Sequence, residues 1–136
     1  MNFAVDYRIE ATCVALGDWP LSRVFLKNNK NYPWLILVPR QDDIQEIEQL
    51  SQTLRYQLMD EISQLSTIVR QQFQPDKLNV GTLGNIVSQL HVHVIARYTS
   101  DVLWPQGVWQ SMQIETPYNE NILKELVSNL QAQVQK

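Results

Sequence analysis

The run Trp34–Val38 constrains the fold more than any other feature of the sequence. It reads W-L-I-L-V, is apolar at every position, and stands between Pro33 and Pro39. A strand with one face in water alternates between apolar and polar residues, so this run predicts a strand buried on both faces. Each proline stands at an end, where its missing N–H removes no hydrogen bond from the sheet. Together with the strand candidate Leu21–Leu26 and the Asn-rich turn between them, the run predicts a central hairpin.

A long amphipathic helix is predicted after this hairpin. Ser51 is a candidate N-cap, and an apolar stripe with helical spacing continues to about Phe73: Leu54, Leu58, Ile62, Leu65 and Val69. Further strands are predicted at Leu78–Val80 and Gln89–Ala96, and a second helix is predicted to open at Thr116-Pro117. Strands on both sides of a helix, joined by short connections, indicate the α+β class.

Composition limits the kind of protein this can be. The chain has 136 residues, of which 44% are hydrophobic and 18% charged, and its net charge is −3. We expect one folded domain over residues 1–136, with weak helical spacing near the start at Tyr7–Leu16. The acidic balance argues against binding a nucleic-acid polymer, and no apolar run is long enough to predict a membrane span or signal segment. The single Cys13 excludes an internal disulfide and fits a reducing, cytoplasmic compartment.

The only two histidines of the chain stand two residues apart in the segment Gln89–Ile95. Residues alternate between the two faces of a strand, so Gln89, His91 and His93 are predicted to share one face. Two polar rings on an otherwise apolar strand need hydrogen-bond partners, which favours a functional role over simple burial. The Gly-containing loop before the strand, with Gly84 and Asn85, could present backbone N–H groups to a phosphate.

Two kinds of chemistry fit this pair of histidines. An H-x-H strand can present two imidazoles to zinc or iron, but a third ligand would have to come from Cys13 or a distant carboxylate. Alternatively, one imidazole attacks phosphorus and the other handles charge or protons. The second interpretation is favoured, because the motif contains no carboxylate and the chain has no third histidine.

The segment from Gly84 to Ile95 resembles the signature strand of the histidine triad (HIT) family, H-φ-H-φ-H-φ-φ, where φ is apolar. The motifs Y-P-W-L-I-L-V-P-R and W-P-x-x-x-W are similar to those of small bacterial HIT-domain proteins. The resemblance covers about residues 20–100, with a C-terminal helical extension at about 117–134. It implies a five-stranded antiparallel sheet with one long helix and a C-terminal helix packed on it, usually in a homodimer.

The resemblance also implies an activity and a set of site residues. HIT proteins hydrolyse or transfer nucleoside monophosphates through a covalent nucleotidyl-histidine, acting on nucleoside phosphoramidates or dinucleoside polyphosphates. By motif position, His91 is the implied nucleophile and His93 contacts the phosphate or assists the leaving group. The implied phosphate contacts are Gly84, Asn85 and Ser88, and ribose binding falls on Asn28, or on Asn29 with the register shifted by one. The implied ligand is a purine nucleotide or nucleotide conjugate, with neither a metal nor a cofactor.

Two positions depart from the family pattern. Gln89 replaces the first histidine of the triad, and Trp34 stands where the hairpin often carries another histidine. Glutamine can donate and accept hydrogen bonds but does not titrate, so it suits an orienting role and not proton transfer. A non-catalytic nucleotide-binding module is therefore an alternative, and a His-ligated metalloprotein is a third. Trp104 and Trp109 are interpreted as core or dimer-contact residues.

Overall fold

The computed structural model describes residues 3–109 and 114–136. The chain forms a five-stranded antiparallel sheet in the order β1-β2-β3-β5-β4. The strands are β1 (Cys13–Asp18), β2 (Ser22–Lys27), β3 (Trp34–Pro39), β4 (Lys77–Gly81) and β5 (Val92–Arg97). The α+β class and the five-stranded antiparallel sheet are thus confirmed.

The described helices are α1 (Tyr7–Glu10), a 3-10 turn (Ile47–Gln49), α2 (Gln52–Phe73) and α3 (Glu120–Val134). The side chain of Ser51 accepts a hydrogen bond from the N–H of Leu54, so the predicted N-cap of the long helix is confirmed. The second helix begins at Glu120, later than Thr116-Pro117, because Asn119 provides its cap. Neither of the long helices, nor any other described helix, combines the length and apolarity needed to cross a membrane.

Strand β3 lies at the centre of the sheet and is buried on both faces along its whole length. Leu35 and Leu37 pack in the larger core with α2 and α3, together with Val92 and Val94 of β5. Trp34, Ile36 and Val38, which alternate with these residues along β3, pack in a second core on the opposite face. This core also contains Tyr32, Ile95 and Val108. The continuous apolar run is explained by these two cores, and β2 pairs with β3 as the predicted hairpin.

Two sequence predictions were wrong in part. The segment Tyr7–Leu16 is helical only over Tyr7–Glu10, and the strand β1 follows from Cys13 at the edge of the sheet. The strand predicted at Gln89–Ala96 begins only at Val92. Gln89 and His91 precede it in irregular backbone, where the N–H of Leu90 bonds to the carbonyl of Ile44 and not to a neighbouring strand.

Candidate active site

The two histidines line a pocket of about 290 Å³ beside the start of β5. Their ring centroids lie 4.8 Å apart with an angle of 72° between the planes, and each residue is 8% exposed. The preceding loop and one indole complete the lining: Leu83, Gly84, Asn85, Ile86, Val87 and Trp109. The structure therefore brings four of the residues predicted for the site together: His91, His93, Gly84 and Asn85.

His91 is held by the backbone of its own segment. Its Nδ1 lies 2.7 Å from the carbonyl oxygen of Gln89. A carbonyl oxygen can only accept a hydrogen bond, so Nδ1 of His91 carries the proton. In the neutral ring this leaves the lone pair on Nε2.

His93 is held in the opposite tautomer. The indole N–H of Trp34 donates to its Nδ1 at 2.9 Å, so in the neutral ring the proton lies on Nε2. Burial lowers the pKa of His93 to about 3, with smaller contributions from the nearby His91 and Lys27. His93 is therefore a neutral hydrogen-bond donor at physiological pH, while His91 offers a lone pair.

The loop between β4 and His91 is held by the N-terminal segment. Gly84 has φ +80°, a left-handed conformation that glycine adopts without strain. Nη1 of Arg8 donates to the carbonyl of Ile86 at 3.1 Å. Because the C=O and N–H of a trans peptide point in opposite directions, this bond turns the N–H of Val87 away from Arg8. Arg8 also hydrogen-bonds the carboxylate of Asp6 and lowers the pKa of Asp6 to about 2.

The family model described as the HIT domain matches residues 8–100 of the chain. The chain belongs to the HIT family. Membership supports a nucleotide-binding or hydrolase-type function, because HIT proteins bind nucleotides and are generally hydrolases or transferases, although some are non-catalytic.

Solved structures of HIT proteins from bacteria are similar over nearly the whole chain. A histidine triad protein from Bradyrhizobium japonicum is 40% identical with a TM-score of 0.91, covering 96% of this chain and 97% of its own. One from Marinobacter aquaeolei is 39% identical with a TM-score of 0.92, covering 98% and 96%. A third, from Sinorhizobium meliloti, is 34% identical with a TM-score of 0.91, covering 96% of each chain. No curated protein sequence matches.

In this HIT protein the side chain of Gln89 does not share the face of the histidines, contrary to the sequence prediction. Its Oε1 accepts from the N–H of Asp6 at 2.8 Å and its Nε2 donates to the carbonyl of Ala4 at 2.9 Å. The prediction assumed that the strand already included Gln89, but the strand begins three residues later, at Val92. What Gln89 contributes to the pocket is its carbonyl oxygen, the partner of His91.

Three other candidates lie outside the histidine pocket. Ser88 lines a separate pocket of about 340 Å³ together with Asp6 and Gln89. Oδ1 of Asn28 accepts from the N–H of Tyr118 at 2.9 Å, which ties the hairpin turn to the segment before α3. Asn29, the alternative register, is 1% exposed and its Oδ1 accepts from the N–H of Asn31.

Sequence reasoning missed two contributors to the HIT site. Trp109, interpreted as a packing residue, lines the pocket with its ring centroid 5.5 Å from that of His93. A Cβ on Gly81 would lie 3.4 Å from this indole, so glycine there leaves room for it. Arg8 carries no motif signal, because its role depends on a contact between segments 78 residues apart.

Within residues 3–109 and 114–136, no three His, Cys, Asp or Glu side chains come together in a way that could hold a metal ion. Cys13, which the metal interpretation needed as a ligand, lines a different pocket with Glu10 and Arg23. The two imidazoles thus lack the third protein ligand that zinc sites normally have.

Proposed function

We propose that this HIT protein hydrolyses or transfers nucleoside monophosphates through a covalent nucleotidyl-histidine on His91. One observation carries the proposal: the 2.7 Å contact between Nδ1 of His91 and the carbonyl of Gln89, which leaves Nε2 with a lone pair at the pocket. A neutral imidazole held in this tautomer needs no separate base before it attacks phosphorus.

The reaction has two displacements at the same phosphorus. In the first, Nε2 of His91 forms a bond to the α-phosphorus, and the leaving group departs with the electron pair of the broken bond. Nδ1 keeps its proton, and the carbonyl of Gln89 stabilises the positive charge that develops on the ring. In the second, water or another acceptor forms a bond to phosphorus, the P–Nε2 bond breaks, and the acceptor's proton passes to solvent.

Polar and apolar groups both line the pocket, which suits a nucleotide. We assign the phosphate to the polar lining groups, with Gly84, Asn85 and the Nε2–H of His93 as donors. The apolar side chains of Leu83, Ile86 and Val87, together with Trp109, are available to the nucleoside. Asn28 as a ribose contact and Ser88 as a phosphate contact stay predictions, because neither residue is among those that line this pocket.

Mass spectrometry of the intact protein tests this proposal. Incubation with an adenosine phosphoramidate or a dinucleoside polyphosphate, followed by acid-free quenching, should show a nucleotidyl adduct that peptide mapping places on His91. His91→Ala should lose the adduct and at least about 100-fold in turnover. Asn121→Ala, on α3, is the matched control and should keep both. Equal rates for wild type and His91→Ala would exclude this mechanism.

A second candidate, a non-catalytic nucleotide-binding module, is favoured by the side chain of Gln89. That side chain bonds to Ala4 and Asp6 and so cannot shuttle protons at the pocket. Nucleotide binding in calorimetry, with neither adduct nor product from any member of a substrate panel, would support the module. The homodimer and the purine preference that the family resemblance implies stay predictions, to be tested by analytical ultracentrifugation and competition between bases.

A further inference from the structure

Trp34 determines which ring nitrogen of His93 carries the proton. It is the first residue of β3, is 8% exposed, and pairs across the sheet with Ile95 of β5. Its indole N–H donates to Nδ1 of His93 at 2.9 Å, and the two rings meet edge to face with centroids 5.5 Å apart. An indole nitrogen has no lone pair to offer, so this contact is possible only when Nδ1 of His93 is unprotonated.

The other groups around His93 act in the same direction. The centroid of the His91 ring lies 4.8 Å from that of His93, and Nζ of Lys27 lies 5.5 Å from the centroid of the Trp34 ring. Lys27 is paired with Glu115 at 2.8 Å, which reduces the effect of its charge on the ring. Burial, His91 and Lys27 together lower the pKa of His93 to about 3.

We propose that Trp34 is a positioning residue that holds the proton of the buried, neutral His93 on Nε2, and that the site is thereby restricted to substrates whose leaving group departs without a proton from the protein. This inference rests on the proposed function. The substrate class that it selects is the nucleoside phosphoanhydride, including dinucleoside polyphosphates, in preference to phosphoramidates of alkylamines.

The neutral state of His93 matters because of the charge on the intermediate. When phosphorus is bonded to Nε2 of His91 and Nδ1 keeps its proton, that ring carries a positive charge. A protonated His93 with its centroid 4.8 Å away would repel this charge strongly in a buried site. Burial keeps His93 neutral, and Trp34 occupies the only atom of His93 that could gain a proton.

The same contact stops His93 from acting as a general acid. If its Nε2–H were transferred to a leaving group, the ring would become an imidazolate anion, which is not accessible near neutral pH. Among the described residues that line the pocket, the two histidines are the only titratable ones. The sequence from 110 to 113 reads Q-S-M-Q and adds no titratable side chain. A phosphate oxyanion leaves without protonation, whereas an alkylamine must be protonated when its P–N bond breaks.

Nitrogen NMR tests the first half of the proposal without any substrate. The chain has only two histidines, so long-range proton–nitrogen spectra of labelled protein give two assignable rings in opposite tautomers. In Trp34→Phe, the protonation midpoint of His93 should rise by about one pH unit, because the competing donor is lost. Trp109→Phe is the matched control, since Trp109 packs at the same 5.5 Å centroid distance without bonding to the imidazole. The proposal is overturned if the wild-type protein carries the proton of His93 on Nδ1, or if the midpoint of His93 shifts equally in the two variants. If Trp34→Phe does not fold, the wild-type spectrum alone decides the tautomer.

A pair of substrates with the same nucleoside tests the second half. The wild-type kcat/KM should be at least about 100-fold higher for diadenosine polyphosphate than for an adenosine phosphoramidate of an alkylamine. In Trp34→Phe, kcat should fall more than KM near neutral pH, because the proton of His93 is no longer held on Nε2, where it can donate to the phosphate in the transition state. Equal or faster turnover of the alkylamine substrate overturns the restriction while leaving the nucleophile intact. If neither substrate gives adduct or product, the proposed function fails and the restriction fails with it.

Discussion

The side-chain Oε1 of Gln89 accepts a hydrogen bond from the N–H of Asp6 at 2.8 Å, and its Nε2 donates to the carbonyl of Ala4 at 2.9 Å. A carboxamide offers one acceptor and one donor on the same plane, as a peptide group does, so it can pair with two backbone groups of an adjacent segment. A neutral imidazole also has one donor and one acceptor, but on opposite sides of the ring. Glutamine at the first position of the triad therefore fastens the N-terminal segment to the loop before His91.

Gln89→Ala should loosen this attachment. Two hydrogen bonds to backbone are lost in a partly buried place, so the free energy of unfolding should fall by about 1–2 kcal/mol, measured by urea denaturation. Turnover should fall much less than in His91→Ala, because the carbonyl of residue 89 still holds the ring of His91. Gln64→Ala, on the exposed side of α2, is the control and should change stability by less than about 0.5 kcal/mol. A loss of activity as large as that of His91→Ala would instead indicate a direct catalytic role for Gln89.

The parts of the fold that local chemistry determines were predictable from the sequence. Ser51 caps α2 through its own side chain, and the run Trp34–Val38 lies at the centre of the sheet because both of its faces meet apolar cores. The edge strand Cys13–Asp18 was not predicted, because its residues are mostly half-buried or exposed and lack the alternation of a strand over a core. Its pairing with β2 provides the strand structure that its own pattern does not indicate.

The site was predictable where it depends on short-range spacing. His91, His93, Gly84 and Asn85 meet in one pocket because all four lie within ten residues of the same loop and strand. The side chain of Gln89 bonds to residues that lie 83 and 85 positions away in the sequence. Trp34, which bonds to His93, lies 59 positions away from it. Such contacts are set by tertiary packing, so no local pattern in the sequence indicates them.

Gly84→Ala should strain the loop that holds the proposed phosphate site. With φ at +80°, an alanine at this position costs about 1–2 kcal/mol, although the added Cβ would meet nothing closer than 3.7 Å. The expected result is lower stability and at least about tenfold weaker nucleotide binding in calorimetry, because relief of the strain would move the backbone donors of the loop. Gly107→Ala is the matched control, since its Cβ would make only an ordinary contact at 3.9 Å with Trp109. Equal effects of the two substitutions would contradict the role given to the backbone of Gly84.

Glu61→Gln should destabilise the fold without changing the histidine pocket. Glu61 of α2 is 1% exposed, and its two carboxylate oxygens accept from the N–H groups of Leu21 and Ser22, each at 2.9 Å. Glutamine would face one of these N–H groups with its own NH₂, so we expect a loss of about 2–4 kcal/mol in urea denaturation. Gln57→Ala, which removes only the side-chain bond to Glu61, should cost about 1 kcal/mol. If Glu61→Gln were no more destabilising than Gln57→Ala, the two backbone bonds would not be important to stability.

His93 should make the protein less stable as the pH falls from about 6.5 toward 3. Its pKa is lowered from 6.5 to about 3 in the folded chain, so between these values the unfolded chain binds a proton at this position that the folded chain does not. Stability therefore rises with pH across this window and is lost on acidification, by roughly 1.3 kcal/mol per pH unit near its middle.

His93→Gln keeps an acceptor for the indole of Trp34 but cannot titrate, so it should remove most of this slope in urea titrations between about pH 4.5 and 6.5. The pKa values of Asp6, Asp18 and Asp101 are lowered from 3.8, so these folded carboxylates titrate below the range of about pH 4.5 to 6.5 in which the slopes are compared. An unchanged slope in His93→Gln would mean that His93 takes up its proton in the folded state as readily as in the unfolded one.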